Sequence, residues 1–325
     1  MQPALAQGTS GVSTAPRELL VDVGDGPAVR AWEAPGPPGA PALLLLHGWT
    51  ATAALNWYGA LPYLGRQFRA LAPNLPGHGS GGPRDRPFSL DRCADELARL
   101  MVQADLVGAV VVGYSMGGAV AQVLARRHPE LLGGAVMCAT AAEFASLTWL
   151  RPAVRVTARA WSSALRRWPG AAQQLLAWRL GRHDAATARA ARRQGEQAPG
   201  PADRAAGAAA APRPMTWLRP VPHPQWALDE RAEAQLAALV EAGAELNAYD
   251  SSSWLPGLGV RSAVVVTTRD TVVAPARQEA LVRLLPGAAR FEVAAGHDAV
   301  VSRLDLFLPV LAEACRCAAC PVAYP

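Results

Sequence analysis

Two hydrophobic rhythms alternate along the chain. Short apolar or alternating runs at Glu18 to Val23, Ala28 to Glu33, Leu43 to Leu46, Phe68 to Ala72, Val107 to Val112, Gly134 to Cys138, Arg261 to Thr267 and Ala289 to Val293 predict strands. The first two flank a Gly-Asp-Gly turn and read as a hairpin. The unbroken run Leu43 to Leu46 suits a strand buried on both faces. Helical spacing at Leu55 to Arg66, Leu90 to Asp105, Met116 to His128, Pro275 to Leu285 and Ala299 to Cys315 predicts helices between them. Ser89 is placed to cap the second of these, and Pro129 ends the third by forcing His128 out of helical geometry. Strand and helix in alternation predict an α/β architecture, a mostly parallel central sheet flanked by helices on both faces.

From about Ala145 to Trp254 the rhythm breaks. This stretch is rich in Ala, Arg and Trp, is helical in period and has no strand candidate. It predicts a helical cap over 145–254 inserted into a core of 17–144 and 255–325. Residues 197–214 are of low complexity and are expected to be mobile; residues 1–16 form a disordered lead-in. In the cap, Val154, Ala158, Trp161, Leu165 and Trp168 recur at helical spacing opposite Arg151, Arg155, Arg159 and Arg166. That stripe packs on the core or lines an apolar substrate pocket; amphipathicity alone does not choose.

Composition narrows the classes. With 51% hydrophobic and 18% charged residues over 325 positions, the chain can bury a large core, which excludes global disorder. All 31 basic residues are Arg, and Ile is absent as well as Lys. That bias points to GC-rich coding, so the net +5 is poor grounds for a nucleic-acid partner and none is expected. The window Arg151 to Pro220 holds 13 Arg against Asp184, Glu196 and Asp203, which leaves the remainder acidic. A basic cap over an acidic core marks the place to look for an anionic substrate group or a peripheral membrane contact. The N-terminus lacks the basic and apolar regions of a signal peptide, and no run approaches the length of a membrane span, so a cytoplasmic location is expected. Cys315, Cys317 and Cys320 form C-x-C-x-x-C, one ligand short of a structural zinc site, and read as a helix end.

The chemistry centres on Gly113-Tyr114-Ser115-Met116-Gly117, a G-x-S-x-G between a predicted strand and a predicted helix. A serine there needs a sharp, strained turn, and the two glycines remove side chains that would clash in it. Together with Leu43-Leu-Leu-Leu-His47-Gly48-Trp49, Pro76-Gly-His78-Gly-Ser80 and the late Asp270 and His297, this motif makes the chain resemble the α/β-hydrolase superfamily, specifically its lid-bearing serine hydrolases. The likeness covers about Glu18 to Glu143 and Pro256 to Glu313. It implies Ser115 as nucleophile, with the amides of Trp49 and Met116 as the oxyanion hole. Asn74 departs from the Asp common in relatives, in a segment that shapes a loop.

Chain order in this fold runs Ser, acid, His. His297 is therefore the expected base, and Asp270 the expected acid, with Glu143 after the preceding strand as the alternative. Asp298 is expected to cap the closing helix. His47 is read as fixing the oxyanion loop, His78 as part of a tight turn, and His128 as favouring a helix C-terminus. Tyr114, Trp161 and Trp168 are candidate substrate-binding residues. No phosphate loop, dinucleotide fingerprint, H-E-x-x-H or EF-hand loop occurs, so no cofactor and no metal is expected. The resemblance implies hydrolysis of an ester, thioester or lactone of a hydrophobic small molecule through an acyl-enzyme. The same triad also serves carbon–carbon bond hydrolysis, lyase or acyl-transfer chemistry in relatives, and a non-catalytic ligand receptor is a further reading.

Overall fold

The computed structural model describes residues 16–24, 27–79, 86–145, 148–168, 230 and 235–319. The lead-in up to residue 15, the stretch 197–214 and Cys320 lie outside them. The strands are β1 (Arg17–Val21), β2 (Val29–Ala34), β3 (Ala42–Leu46), β4 (Arg69–Pro73), β5 (Ala109–Tyr114), β6 (Leu132–Cys138), β7 (Ser262–Thr267) and β8 (Ala289–Val293). They form one sheet in the order β1-β2-β4-β3-β5-β6-β7-β8. β1 and β2 make the expected hairpin and pair antiparallel, as do β2 and β4; every later pairing is parallel.

The helices are α1 (Ala53–Trp57), α2 (Leu61–Leu64), α3 (Leu90–Gln103), α4 (Met116–Arg127), α5 (Arg151–Arg167), α6 (Leu236–Ala248), α7 (Pro275–Leu284), α8 (Ala299–Ser302) and α9 (Leu304–Ala319). Alternation along β3 shows why its run is wholly apolar. Leu43 and Leu45 enter a core with Trp57, Leu61 and Phe307, whereas Leu44 and Leu46 enter one with Leu97, Met101 and Val120. Sheet and helices thus bury β3 on both sides, and its C-terminal end delivers His47 and Gly48 to the rim.

Two predicted helices are each broken in two. The stretch 55–66 divides into α1 and α2 because Pro62 lacks an N–H and its ring crowds the carbonyl of Tyr58. At the break, a Cβ on Gly59 would lie 2.5 Å from Leu304 Cδ1. The closing helix divides at Arg303, whose φ of −132° and ψ of 52° leave the helical region. Asp298 does occupy the N-cap of α8, but its backbone (φ −92°, ψ 10°) is not the extended one that aims a side chain at the first amides, and no capping bond from its carboxylate forms. Ser89 caps α3 as expected, accepting from the Arg92 amide at 3.3 Å.

In the inserted segment, α5 and α6 lie against each other, and a bridge pairs Glu143 with Asp250. The inward side of α5 is Val154, Ala158, Ser162 and Leu165, with Trp161 and Trp168 61% and 63% exposed. The apolar stripe is therefore turned away from its two largest members. Ion pairs span the same side: Arg166 grips the buried Glu241 of α6 through Nε (3.1 Å) and Nη2 (2.6 Å), and Arg155 reaches Glu245 at 3.6 Å. Arg151 pairs with Glu143 on the core side. Over the whole of 145–254 the sequence holds 14 Arg and 9 acids, so the cap carries the chain's +5 and the rest is neutral, not acidic. The six acids Asp229, Glu230, Glu233, Glu241, Glu245 and Asp250, which follow Pro220, belong to the insertion and not to the core. Among the described residues, no helix is long and apolar enough to cross a membrane.

Candidate active site

Ser115 stands between the end of β5 and the start of α4 with φ 54° and ψ −116°, a region that L-residues rarely enter. Its neighbours make that turn possible. A Cβ on Gly113 would meet the Gly117 carbonyl oxygen at 2.2 Å, and one on Gly117 would meet the Leu46 carbonyl oxygen at 2.3 Å. The turn is then tied down: the Ser115 amide donates to Cys138 O at 2.9 Å, and its carbonyl accepts from Gly118 N–H (2.9 Å) and Thr140 Oγ1 (2.8 Å).

The late His and Asp arrive from other strand ends. His297, in the loop after β8, places Nε2 3.0 Å from Ser115 Oγ and Nδ1 2.8 Å from Asp270 Oδ2. Asp270 follows β7. Its Oδ1 accepts the amides of Val272 and Val273, each at 2.8 Å, and its Oδ2 also accepts from Thr267 Oγ1 at 2.8 Å and Gln278 Nε2 at 3.2 Å. Burial alone would raise the carboxyl pKa, but the bonds from His297, the Val273 amide and Thr267 outweigh it and hold Asp270 below the usual carboxylate value. It is a buried carboxylate held in its charged form against an imidazole. Glu143 instead holds Arg151, and its carbonyl accepts Arg277 Nη1 at 2.8 Å, so of the two candidate acids it is Asp270 that contacts His297.

Gly48 lies against the nucleophile; a Cβ built there would lie 3.4 Å from Ser115 Cβ. Its amide donates to Asn56 Oδ1 at 3.1 Å, and its carbonyl accepts Ala51 N–H at 3.3 Å and His47 Nδ1–H at 2.8 Å. The other ring nitrogen of His47 accepts the Leu75 amide at 2.9 Å. His47 is therefore neutral and structural, as its sequence position suggested. Burial, then the nearby His78, push its pKa down to about 3. Next along the loop comes Trp49. On the other side, Met116 is the first residue of α4, so its amide has no intrahelical acceptor.

Of the remaining candidates, Tyr114 is buried beneath the site. Its hydroxyl donates to His297 O at 2.7 Å and its ring packs on Trp57 and Phe307, which ties it to the histidine loop. Trp161 on α5 and Trp168 just past its end are both exposed. Asn74 does shape a loop: its Oδ1 accepts the Ala53 amide at 2.8 Å at the start of α1. Cys315 is buried with its thiol pKa pushed up by burial, and Cys317 is partly exposed. Among the described residues, no group of three His, Cys, Asp or Glu is arranged to hold a metal.

Sequence reasoning missed the supports of the acid. Thr267 and Gln278 are fully buried, with Gln278 Nε2 also bonding Thr267 Oγ1 (2.9 Å) and Val273 O (2.8 Å). The available signal was Gln278 in phase with the buried Leu281 and Leu285, a polar residue on an apolar stripe.

A family model described as alpha/beta hydrolase fold matches residues 41–303. The chain belongs to that family. A pimeloyl-[acyl-carrier protein] methyl ester esterase of Edwardsiella ictaluri is 38% identical over 114 residues, 35% of this chain and 41% of that protein. The chain aligns with less than half the length of such curated relatives. Among solved α/β hydrolases, a thermophilic esterase from Thermogutta terrifontis superimposes with a TM-score of 0.63 at 22% identity, covering 94% of this chain and all of that one. The enol-lactonase from Burkholderia xenovorans LB400 gives 0.62 at 21% identity, over 91% and 98%. At these identities the structural likeness speaks for the fold.

Proposed function

We propose that this α/β hydrolase is a serine hydrolase that cleaves an ester, thioester or lactone of a hydrophobic acyl compound. The observation that carries the reading is the unbroken Asp270–His297–Ser115 relay, at 2.8 and 3.0 Å, ending on a serine in a strained turn. Ser115 Oγ attacks the carbonyl carbon while His297 Nε2 takes its proton. Asp270 holds the Nδ1–H tautomer and stabilises the imidazolium without itself taking the proton. The carbonyl oxygen becomes an oxyanion facing the Trp49 and Met116 amides; loss of one such donor typically costs about 10²–10³ in rate. The tetrahedral intermediate collapses as His297 returns the proton to the leaving oxygen or sulfur. Water, deprotonated by the same ring, then releases the acid from Ser115.

The curated relative's name, an esterase for a methyl ester, supports the bond class and is not carried over as a substrate. The cap's surplus of positive charge favours an acyl chain that ends in an anionic group. The test combines fluorophosphonate labelling with a p-nitrophenyl ester panel from acetyl to dodecanoyl, extended by monoesters of dicarboxylic acids. Labelling that disappears in Ser115→Ala, with turnover of part of the panel, is the expected result. Labelling without turnover of any ester would move the triad to carbon–carbon cleavage or acyl transfer. No labelling would overturn the nucleophile assignment.

A further inference from the structure

Trp49 has two attachments of different origin. Its backbone belongs to the loop after β3, pinned at Gly48 by Asn56 and His47. Its side chain, 46% exposed, reaches across to the inserted segment, where the indole Nε1–H donates to Leu239 O of α6 at 2.9 Å. The ring lies flush on the same helix at Gly243: a Cβ there would approach Trp49 Cζ2 to 2.8 Å and Cη2 to 3.3 Å. Since the indole N–H is already engaged, the ring cannot swing aside without giving up that bond.

The loop needs such a hold. Thr50, directly after Trp49, has φ 61°, a left-handed conformation that is costly for a β-branched residue and persists only where surroundings enforce it. The same helix is docked on the neighbouring Pro76–Gly79 loop. The Gln235 amide, at its N-cap, donates to Gly77 O at 3.0 Å, and a Cβ on Gly77 would come 2.1 Å from Ala238 Cβ. Helix α6 is thus seated on the loop that carries Gly48 beside Ser115 and on the Pro76–Gly79 loop, whose His78 ring lies 5.3 Å from that of His47.

We propose that α6 holds the oxyanion-hole loop in its working conformation through the Trp49 indole, with Leu239 and Gly243 as positioning residues. Seating of this cap helix and alignment of the Trp49 amide become one event. The proposal rests on the reading of that amide as an oxyanion donor. Gly243 is glycine because the ring occupies the space of its side chain. Inside a helix, glycine otherwise disfavours folding relative to Ala, so Gly243→Ala should cost function without costing helix stability.

The test is a cycle of Gly243→Ala, Trp49→Phe, Trp49→Ala and the double variant Trp49→Ala/Gly243→Ala, on the best ester of the panel. Gly243→Ala and Trp49→Phe are expected to lower kcat about tenfold with KM within about twofold, because the lost alignment matters in the transition state. They should weaken a trifluoromethyl ketone inhibitor, which becomes an oxyanion on Ser115, by a similar factor. Adding Gly243→Ala to Trp49→Ala should change nothing further, because the ring it displaces is gone. Unchanged kcat in Gly243→Ala and Trp49→Phe, or an equal loss from Gly243→Ala in the Trp49→Ala background, overturns the coupling. A separate failure is visible in the unmodified protein: if the trifluoromethyl ketone binds no better than the plain ketone, the oxyanion reading fails, and the coupling with it.

Discussion

Mild acid should destabilise this protein well before Asp270 protonates, because two imidazoles, His47 and His78, are buried uncharged beside the loop that carries Gly48 and Trp49. His47 uses both ring nitrogens, donating to Gly48 O and accepting from Leu75 N–H, and has no room for a second proton. Burial, then His78 at 5.3 Å between ring centroids, push its pKa down to about 3; burial pushes His78 down to about 4. In the unfolded chain both return to about 6.5. The folded values are the depressed ones, so the unfolded state binds protons first. The contribution is complete above about pH 6.5 and is lost as the pH falls toward 4 and then 3. At about pH 5 the unfolded chain is favoured about 30-fold per ring, or about 2 kcal/mol each and about 4 kcal/mol for the pair. That is a large part of the roughly 5–15 kcal/mol of a typical domain. Asp270, held below 3.8, gives up its own contribution only at lower pH, so the two effects separate. Urea unfolding of the wild type at about pH 8 and pH 5 should show the loss. His78→Leu removes one titrating ring, whose Nε2 has no partner among the described residues, and should about halve it. A wild-type stability that is flat over this interval, or an undiminished slope in His78→Leu, would refute the reasoning.

Further outcomes concern the acid and its supports. Asp270→Asn can satisfy the Val272 and Val273 amides through its oxygen, but it then turns an NH₂ toward His297 and reverses the tautomer; kcat should fall about 10³–10⁴-fold, with binding of substrate little changed. Glu143→Gln, away from the relay, should keep near-full activity, and the reverse pattern in ester kinetics would exchange the two assignments. Gln278→Leu strips the acceptor from the buried Thr267 amide and a donor from Asp270; thermal and urea unfolding should register about 1–3 kcal/mol, with a fall in kcat larger than any change in KM.

What the sequence made legible follows from locality. The central strands were readable because burial on both faces leaves only apolar residues, as in Leu43 to Leu46, and the Ser115 turn because its tight packing demands glycines at Gly113 and Gly117. His297 and Asp270 followed from chain order after β8 and β7. Features set by partners distant in sequence were not readable. Gln278 looks like an ordinary core residue, and the side-chain contacts of Tyr114 and Trp49, though both were site candidates, stay hidden until Thr267, the His297 carbonyl and Leu239 are brought to them. The phase of α5 was misread for the same reason: its hydrophobic period counted Trp161 as inward, whereas the side that meets α6 carries Val154, Ala158 and Leu165 together with the Arg166–Glu241 and Arg155–Glu245 pairs.

The two strained positions of the site also differ in what holds them. Ser115 is locked by Cys138 at the end of β6, Thr140 just after it and Gly118 in the helix that follows the serine. Thr50 and Trp49 depend in part on α6, which reaches the core from an insertion of more than a hundred residues between β6 and β7. The buried Glu241 extends that dependence: one carboxylate accepts the Phe88 amide at 2.7 Å and pairs with Arg166, so α5, α6 and the segment before α3 share one ionic joint. On the coupling proposed above, a change in the packing of α6 reaches the loop of Trp49 while leaving the Ser115 turn and its contact with His297 in place. In such a fold, the insertion can tune turnover without rebuilding the nucleophile.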